Sequence, residues 1–253
     1  MDEMTGRVAL VTGANRGIGL AVAQGLAARG ATVLVAAREI EAGERAAAGI
    51  RATGGAARAV QLDVTDPASI DAAARAVTDT YGRLDVLVNN AGIPGDVAAQ
   101  VPGAVDLATV AAVLTTNVWG VVAVTEALLP ALRRAGSARI VNVSSSVGSL
   151  ARMSDPAHYF ARLPAALGYA PSKAAVNQVT VQYAKALRGT GILVNAADPG
   201  PCATDFVRGV PTDRHPGVTR SAADGAVIVL RLAALPPDGP TGGLFAENGP
   251  VPW

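Results

Sequence analysis

The chain has 253 residues, 50% of them hydrophobic and only 16% charged, with a formal net charge of +1. That apolar fraction is ample for a core, so disordered, collagen-like and disulfide-stapled architectures are excluded. Near-neutral charge removes the electrostatic case for nucleic acid or an anionic membrane as the partner. The one cysteine, Cys202, cannot close an internal disulfide, and with no signal-like segment after Asp2 and Glu3 the expected compartment is the cytoplasm.

Strand-like and helix-like segments alternate from the start. Val8 to Val11 is a β-rich run, followed by a glycine turn and a helical stretch from Ile18 to Arg29. Thr32 to Val35 predicts a second strand, Glu39 to Thr53 a helix, and Ala59 to Leu62 a third strand. Asp66-Pro67 is a helix start, with the carboxylate as N-cap and proline in the first turn. Ile70, Ala73, Ala74, Val77 and Tyr81 then fall on one helical face. Further strands are expected at Leu84 to Val88, Ile140 to Val143, Ile192 to Val194 and Leu244-Phe245. The uncharged stretch from Leu107 to Thr125 is too rich in Thr, Asn and Gly for a bilayer span and is expected as a helix buried in protein.

Strands separated by helices imply parallel pairing with right-handed crossovers. The expected fold is therefore α/β, one Rossmann-like doubly wound domain over residues 1–253, with a seven-stranded parallel sheet flanked by helices. Ligands of such a sheet sit beyond the carboxyl ends of its strands.

The residues after the strands fit a dinucleotide. Thr12-Gly13-Ala14-Asn15-Arg16-Gly17-Ile18-Gly19 puts glycines where backbone N–H groups must approach a pyrophosphate, in the spacing GxxxGxG. Its alternative is an ordinary glycine turn. The second strand ends Ala36-Ala37-Arg38, without the carboxylate that usually meets an NAD ribose. Arg38 and Arg16 together suit a 2′-phosphate, so NADP(H) is expected, although Glu39 is placed to pair with Arg38. Asp63-Val64 could meet the adenine edge, and Asn90-Ala91-Gly92 would let a cofactor lie close to the backbone. The competing reading of Asn90 is an amide that braces the sheet.

A tyrosine that exchanges protons near neutrality needs a cation beside it. Of the four tyrosines only Tyr169 has a lysine one helical turn on, at Lys173. The glycine turn, the Asn-Asn-Ala-Gly step, the serine-rich strand end, Tyr169-x-x-x-Lys173 and Pro199-Gly200 follow one another in the order of the short-chain dehydrogenase/reductase family, which the chain resembles along almost its whole length. It is most similar to carbonyl-reductase-like, NADP-preferring members, through the Asn-Arg of the glycine turn, Arg38, an insert before the tyrosine, and Trp253.

The resemblance implies roles. Tyr169 would protonate a carbonyl oxygen, Lys173 would lower the tyrosine pKa and hold the nicotinamide ribose, and Ser145 would hydrogen-bond the carbonyl oxygen, with Ser144 the competing serine. Asn117 matches the asparagine that supports a water-mediated proton path to the lysine, or else satisfies a helix kink. Pro199, Gly200 and Thr204 match the segment that contacts the nicotinamide. The stretch between Ser145 and Tyr169 is longer than in ordinary members, so an insert is expected around 150–168, either covering the substrate or blocking the helix pairing of dimeric relatives. A monomer is favoured over a dimer or tetramer. Residues 93–98, the insert and Pro201 to Gly217 should set specificity for a small neutral ketone or aldehyde. Two histidines, His158 and His215, and one cysteine offer no metal-ligand spacing. The alternatives are an NAD(P)-dependent alcohol, steroid, polyol or acyl-thioester dehydrogenase of the same family, or a non-catalytic dinucleotide-binding protein.

Overall fold

A computed structural model describes residues 4–207 and 220–253. Its centre is one sheet of eight strands, in the order β3-β2-β1-β4-β5-β6-β7-β8. The strands are β1 Val8–Thr12, β2 Thr32–Ala37, β3 Ala56–Gln61, β4 Val86–Asn89, β5 Arg139–Val143, β6 Leu193–Ala197, β7 Leu244–Ala246 and β8 Gly249–Val251. The first seven pair in parallel. The expectation of seven strands is corrected by β8, which folds back antiparallel on β7 through Leu244↔Val251 and Ala246↔Gly249. A three-residue strand containing proline carries almost no sequence signal; Pro250 is tolerated because β8 lies at the sheet edge.

Among the described residues eight helices flank the sheet: α1 Gly17–Ala27, α2 Ile40–Ala52, α3 Pro67–Tyr81, α4 Leu107–Leu114, α5 Gly120–Arg134, α6 Leu150–Ser154, α7 Tyr169–Ala186 and α8 Ala222–Ala233. The Asp66 carboxylate caps α3 by accepting from Ala68 N, and Ile70, Ala73 and Val77 are that helix's buried face. The core divides into two layers, one on each side of the sheet. In one, α1 and α8 bring Val22, Leu26, Ile228 and Val229 together with Ala9, Val11 and Val33 of the strands. In the other, α3, α5 and α7 pack around Leu10, Leu87, Leu128 and Ile140.

One expectation fails in the second layer. Between α4 and α5 the backbone runs as a π-helical turn, Thr115–Trp119, so the chain is helical from Leu107 to Arg134. The helix is long and apolar enough to cross a membrane by length and composition alone, its most apolar 18-residue window having mean hydropathy 1.8, yet only 28% of that window is buried. The segment is thus not a helix buried all round. Val124, Leu128 and Leu132 pack on the sheet, while Leu107 and Trp119 are exposed.

Polar side chains register the helices on the sheet's carboxyl end. Asn89 donates to Thr125 Oγ1 (3.0 Å) on α5 and to Asn142 Oδ1 (2.8 Å) on β5, and Asn142 donates to Thr180 Oγ1 (2.9 Å) on α7. All four are buried. Breaking any link would strand a buried amide or hydroxyl, at a cost of about 1–3 kcal/mol. The chain of bonds fixes α7, which starts at Tyr169, against the strand ends.

Candidate active site

Strand order reverses between β1 and β4, and there the carboxyl ends of the strands open into a groove of about 1250 Å³. That exceeds the about 300–1,000 Å³ of a typical single-ligand cavity, so there is room for an extended ligand and a second molecule beside it.

The β1–α1 turn forms one end. Gly13 and Gly17 have φ of 63° and 57°, the left-handed region where a side chain is strained. Gly19 has ordinary backbone angles but no room: a Cβ there would lie 2.4 Å from Asn90 Nδ2 and 2.5 Å from Gly13 O. Asn90 is held by donating to Thr12 O (2.9 Å) and Gly13 O (3.2 Å). It therefore braces the turn and also lines the groove. Asn15, Ile18, Ala91 and Gly92 line the same end.

Arg16 and Arg38 line it too, and both are largely exposed. Arg16 lies 3.2 Å from Asp205 and Arg38 3.6 Å from Glu39, so the expected Arg38–Glu39 pairing is present. Asp63 follows β3 and accepts from Thr65 N (2.8 Å) and Thr65 Oγ1 (2.6 Å). These bonds, with the Arg38 charge, hold its carboxyl below the usual carboxylate range. Val64, against which Gly120 packs, lines the groove beside it.

At the other end Tyr169 opens α7, with its backbone N–H donating to the buried side chain of Gln100 (2.7 Å). Lys173, one turn on, is buried and donates from Nζ to Val143 O at 2.8 Å. The ammonium lies 5.7 Å from the Tyr169 ring centroid, a cation–π distance. Desolvation brings Lys173 down to about 8, against the opposing pull of Asp198. The three serines after β5 differ sharply. Ser144 is buried and donates to Asn177 Oδ1 (2.6 Å), and Ser146 donates to Asp198, so both hydroxyls are occupied. Ser145 accepts only a long bond from Val147 N (3.3 Å) within its own turn and shares a hydrogen bond with the Tyr169 hydroxyl.

The phenol departs from expectation. Burial raises the Tyr169 pKa, the Asp198 charge raises it further, and the Ser145 bond only partly opposes them. The sequence reading of a tyrosine lowered by Lys173 is thus reversed in this arrangement, because desolvation dominates and Lys173 points its ammonium at Val143 O. Asp198, absent from the sequence reading, is buried at the end of β6, accepting from Gly200 N (3.0 Å) and Ser146 Oγ. Pro199 and Gly200 come from the family resemblance; the rule that ligands sit beyond strand ends could have pointed to Asp198, the first residue after β6.

Asn117 is brought near the others but not into the groove. It lies buried in the π-helical turn, accepting from Ile93 N (2.8 Å) and donating to Ile93 O (2.9 Å) and Ser172 Oγ (3.0 Å). It joins that turn to α7 beneath the site. Pro199, Gly200 and Thr204 line the groove, with Gly200 at φ 71°. In the 150–168 stretch, α6 and the turn Tyr159–Arg162 contribute Arg152, Met153, Tyr159 and Phe160 to the lining. His158 accepts from Phe160 N through Nδ1, a turn contact. His215 and the end of the Pro201 to Gly217 segment lie outside the described residues. Among the described residues no cluster of metal ligands occurs.

Comparison with known proteins agrees with this architecture. The short chain dehydrogenase family profile matches residues 7–215. The short-chain dehydrogenase anuI of Penicillium roqueforti is 37% identical over 238 residues, covering 92% of this chain and 90% of its own. A 3-oxoacyl-[acyl-carrier-protein] reductase of Synechocystis is 38% identical over 207 residues, 81% of this chain and 78% of the relative. Among solved structures, a short-chain type dehydrogenase/reductase from Mycobacterium marinum superposes with a TM-score of 0.84 at 30% identity, over 97% of this chain and 95% of that one. The Pseudomonas aeruginosa RhlG/NADP active-site complex gives 0.82 at 31% identity, over 97% and 96%. With a matching profile over most of its length and a doubly wound sheet carrying the glycine turn, the chain belongs to the short-chain dehydrogenase/reductase family of oxidoreductases.

Proposed function

We propose that the protein is an NADPH-dependent reductase that converts a ketone or aldehyde to an alcohol, with Tyr169 as the acid, in the cytoplasm. The observation that carries this reading is the convergence of the Tyr169 phenol, the Ser145 hydroxyl and the buried Lys173 ammonium at one end of the groove whose other end is the glycine cradle.

The donor set fits a dinucleotide. A turn that a Cβ at position 19 would block gives backbone N–H groups close approach to a pyrophosphate. Arg16 and Arg38 would hold the 2′-phosphate, Asp63 and Val64 the adenine side, and Pro199, Gly200 and Thr204 the nicotinamide side. When bound, the cofactor supplies a hydride to the carbonyl carbon.

The chain's own residues handle the proton. A raised phenol stays protonated at neutral pH, the form that an acid in carbonyl reduction requires. The Tyr169 hydroxyl gives its proton to the carbonyl oxygen as negative charge develops there, while the Ser145 hydroxyl donates a hydrogen bond to the same oxygen. Lys173, near its own midpoint at about pH 8, is poised to return a proton to the phenolate. Asn117 positions α7 through Ser172 and supports that path.

The names of several relatives favour a second reading, reduction of a 3-oxoacyl thioester. A panel of ketones, aldehydes and a 3-oxoacyl thioester, with NADPH and NADH consumption followed separately, tests both. Carbonyl-dependent oxidation of NADPH, slower with NADH, is expected; dinucleotide binding without any carbonyl turnover would leave a sensor or scaffold. The reading takes the chain as a monomer. A sedimentation mass above one chain would correct this, with the exposed Leu107, Leu114 and Trp119 as the first face to test.

A further inference from the structure

The chain is poor in aromatic residues, 4% in all, with three Phe and four Tyr. Two of each line the groove: Tyr159, Phe160, Tyr169 and Phe206. They come from three separate segments, the turn at Tyr159–Arg162, helix α7, and the turn at Asp205–Val207. Such concentration in one cavity of an aromatic-poor chain is not core packing. Phe160 is 5% exposed, while Tyr159 is 57% exposed.

The rings are arranged to hold one another. Phe206 lies 5.6 Å from the Tyr169 ring, tilted by 58°. Phe160 meets Tyr159 edge to face at 4.4 Å, and His158 stacks on Tyr159 at 5.0 Å. Buried Phe160 thus anchors an exposed ring at the groove. Met153 and Leu163 complete an apolar surface there. Two cations stand at this end: Lys173 donates to Val143 O, and Arg152 donates to Ser146 Oγ (3.2 Å), which in turn donates to the Asp198 carboxylate. The Arg152 guanidinium is tied to a carboxylate through that hydroxyl, so this end makes no strong claim on an anionic substrate.

We infer that this end of the groove selects an aryl carbonyl compound, a ketone or aldehyde attached to a flat aromatic ring, over an aliphatic or anionic one. The inference rests on the carbonyl-reductase reading and specifies its substrate class. Ring quadrupoles favour edge-to-face and offset contacts with another ring, a gain that a saturated ring of the same size does not share.

The test measures binding without chemistry. With NADPH present, Kd for 1-phenylethanol and for 1-cyclohexylethanol is measured by calorimetry, a cofactor–alcohol pair that cannot react. The aromatic alcohol is expected to bind about tenfold more tightly, although the saturated one is the more hydrophobic. In Tyr159→Leu and Phe206→Leu, each checked for folding by its thermal melt, the ratio should shrink to within about threefold. Equal Kd values in the wild type, or a ratio unchanged in both folded variants, overturns the inference. Turnover of acetophenone and of 2,3-butanedione with NADPH reports the underlying reading separately. Absence of turnover with both overturns the reductase assignment, while turnover of either with equal Kd values overturns only the aryl preference.

Discussion

Gly19→Ala gives the sharpest structural test of the cofactor cradle. The new Cβ would stand 2.4 Å from Asn90 Nδ2 and 2.5 Å from Gly13 O, both far inside contact distance. Asn90 can move only by releasing Thr12 O and Gly13 O, and Gly13 O belongs to the turn itself. Two lost hydrogen bonds cost about 0.5–1.5 kcal/mol each, and overpacking adds about 1–3 kcal/mol. A total near 3 kcal/mol lowers Tm by about 6–12 °C in a chain of this size. The turn that opens is the one proposed to hold the pyrophosphate, so NADPH affinity should fall at least about tenfold, the effect of only ~1.4 kcal/mol. Gly49→Ala is the control. It lies inside α2 with nothing within 4 Å of the added carbon, so it should stabilise by about 0.5–1 kcal/mol and leave affinity alone. Thermal melts and NADPH fluorescence titrations on both variants decide the matter. If Gly19→Ala matches Gly49→Ala in both measurements, the cradle argument is wrong.

Three further outcomes are expected. Lys173→Met should gain stability near pH 7, net of its lost hydrogen bond, because a lysine lowered from 10.5 to about 8 is protonated in both states below pH 8 and its burial then costs about 3 kcal/mol. Between pH 8 and 10.5 the unfolded chain alone holds that proton, so wild-type stability rises with pH and the difference narrows; a difference constant from pH 7 to 10 in urea melts would refute the lowered ammonium. Arg38→Asp should shift the NADPH:NADH preference in kcat/KM by about tenfold, the low end for a charged contact because Arg38 is exposed and faces Glu39; an unchanged ratio removes Arg38 from the 2′-phosphate site. Asn117→Ala leaves the Ile93 N–H and C=O without their partner and should cost about 2 kcal/mol in urea unfolding, with a lower kcat; wild-type stability would show that Asn117 braces nothing.

The alternation of strands and helices was legible because β-branched runs and glycine or Asp-Pro breaks punctuate it, as at Asp66-Pro67. What escaped had weak local signals. Strand β3 begins at Ala56, three residues before the expected start, because Ala56-Ala57-Arg58 gains its pairing from Thr32, Val33 and Leu34 on β2 rather than from propensity. Strand β6 likewise runs on through Asn195, Ala196 and Ala197, sustained by β5. In the site, spacing alone put Tyr169 and Lys173 on one face, since i and i+4 positions are neighbours on any helix. The choice of Ser145 over Ser144 rested on resemblance, whereas coordinates show Ser144 committed to Asn177. Gln100, whose side chain accepts from Tyr169 N and donates to Pro94 O, ends a single 3-10 turn, Ala98–Gln100, brought in by tertiary contact, and no local pattern announces it. The raised phenol escaped for the same reason, because desolvation is a property of the packed site and not of the spacing.

The most direct measurement is single-turnover oxidation of NADPH by Tyr169→Phe with a ketone that the wild type reduces. The substitution removes one hydroxyl and leaves the ring contact with Phe206 and the neighbouring ammonium in place. A general acid contributes about 10²–10⁴-fold, so the rate should fall by that much while NADPH binds within a few-fold of wild type. A rate within threefold of wild type would contradict the account at its centre.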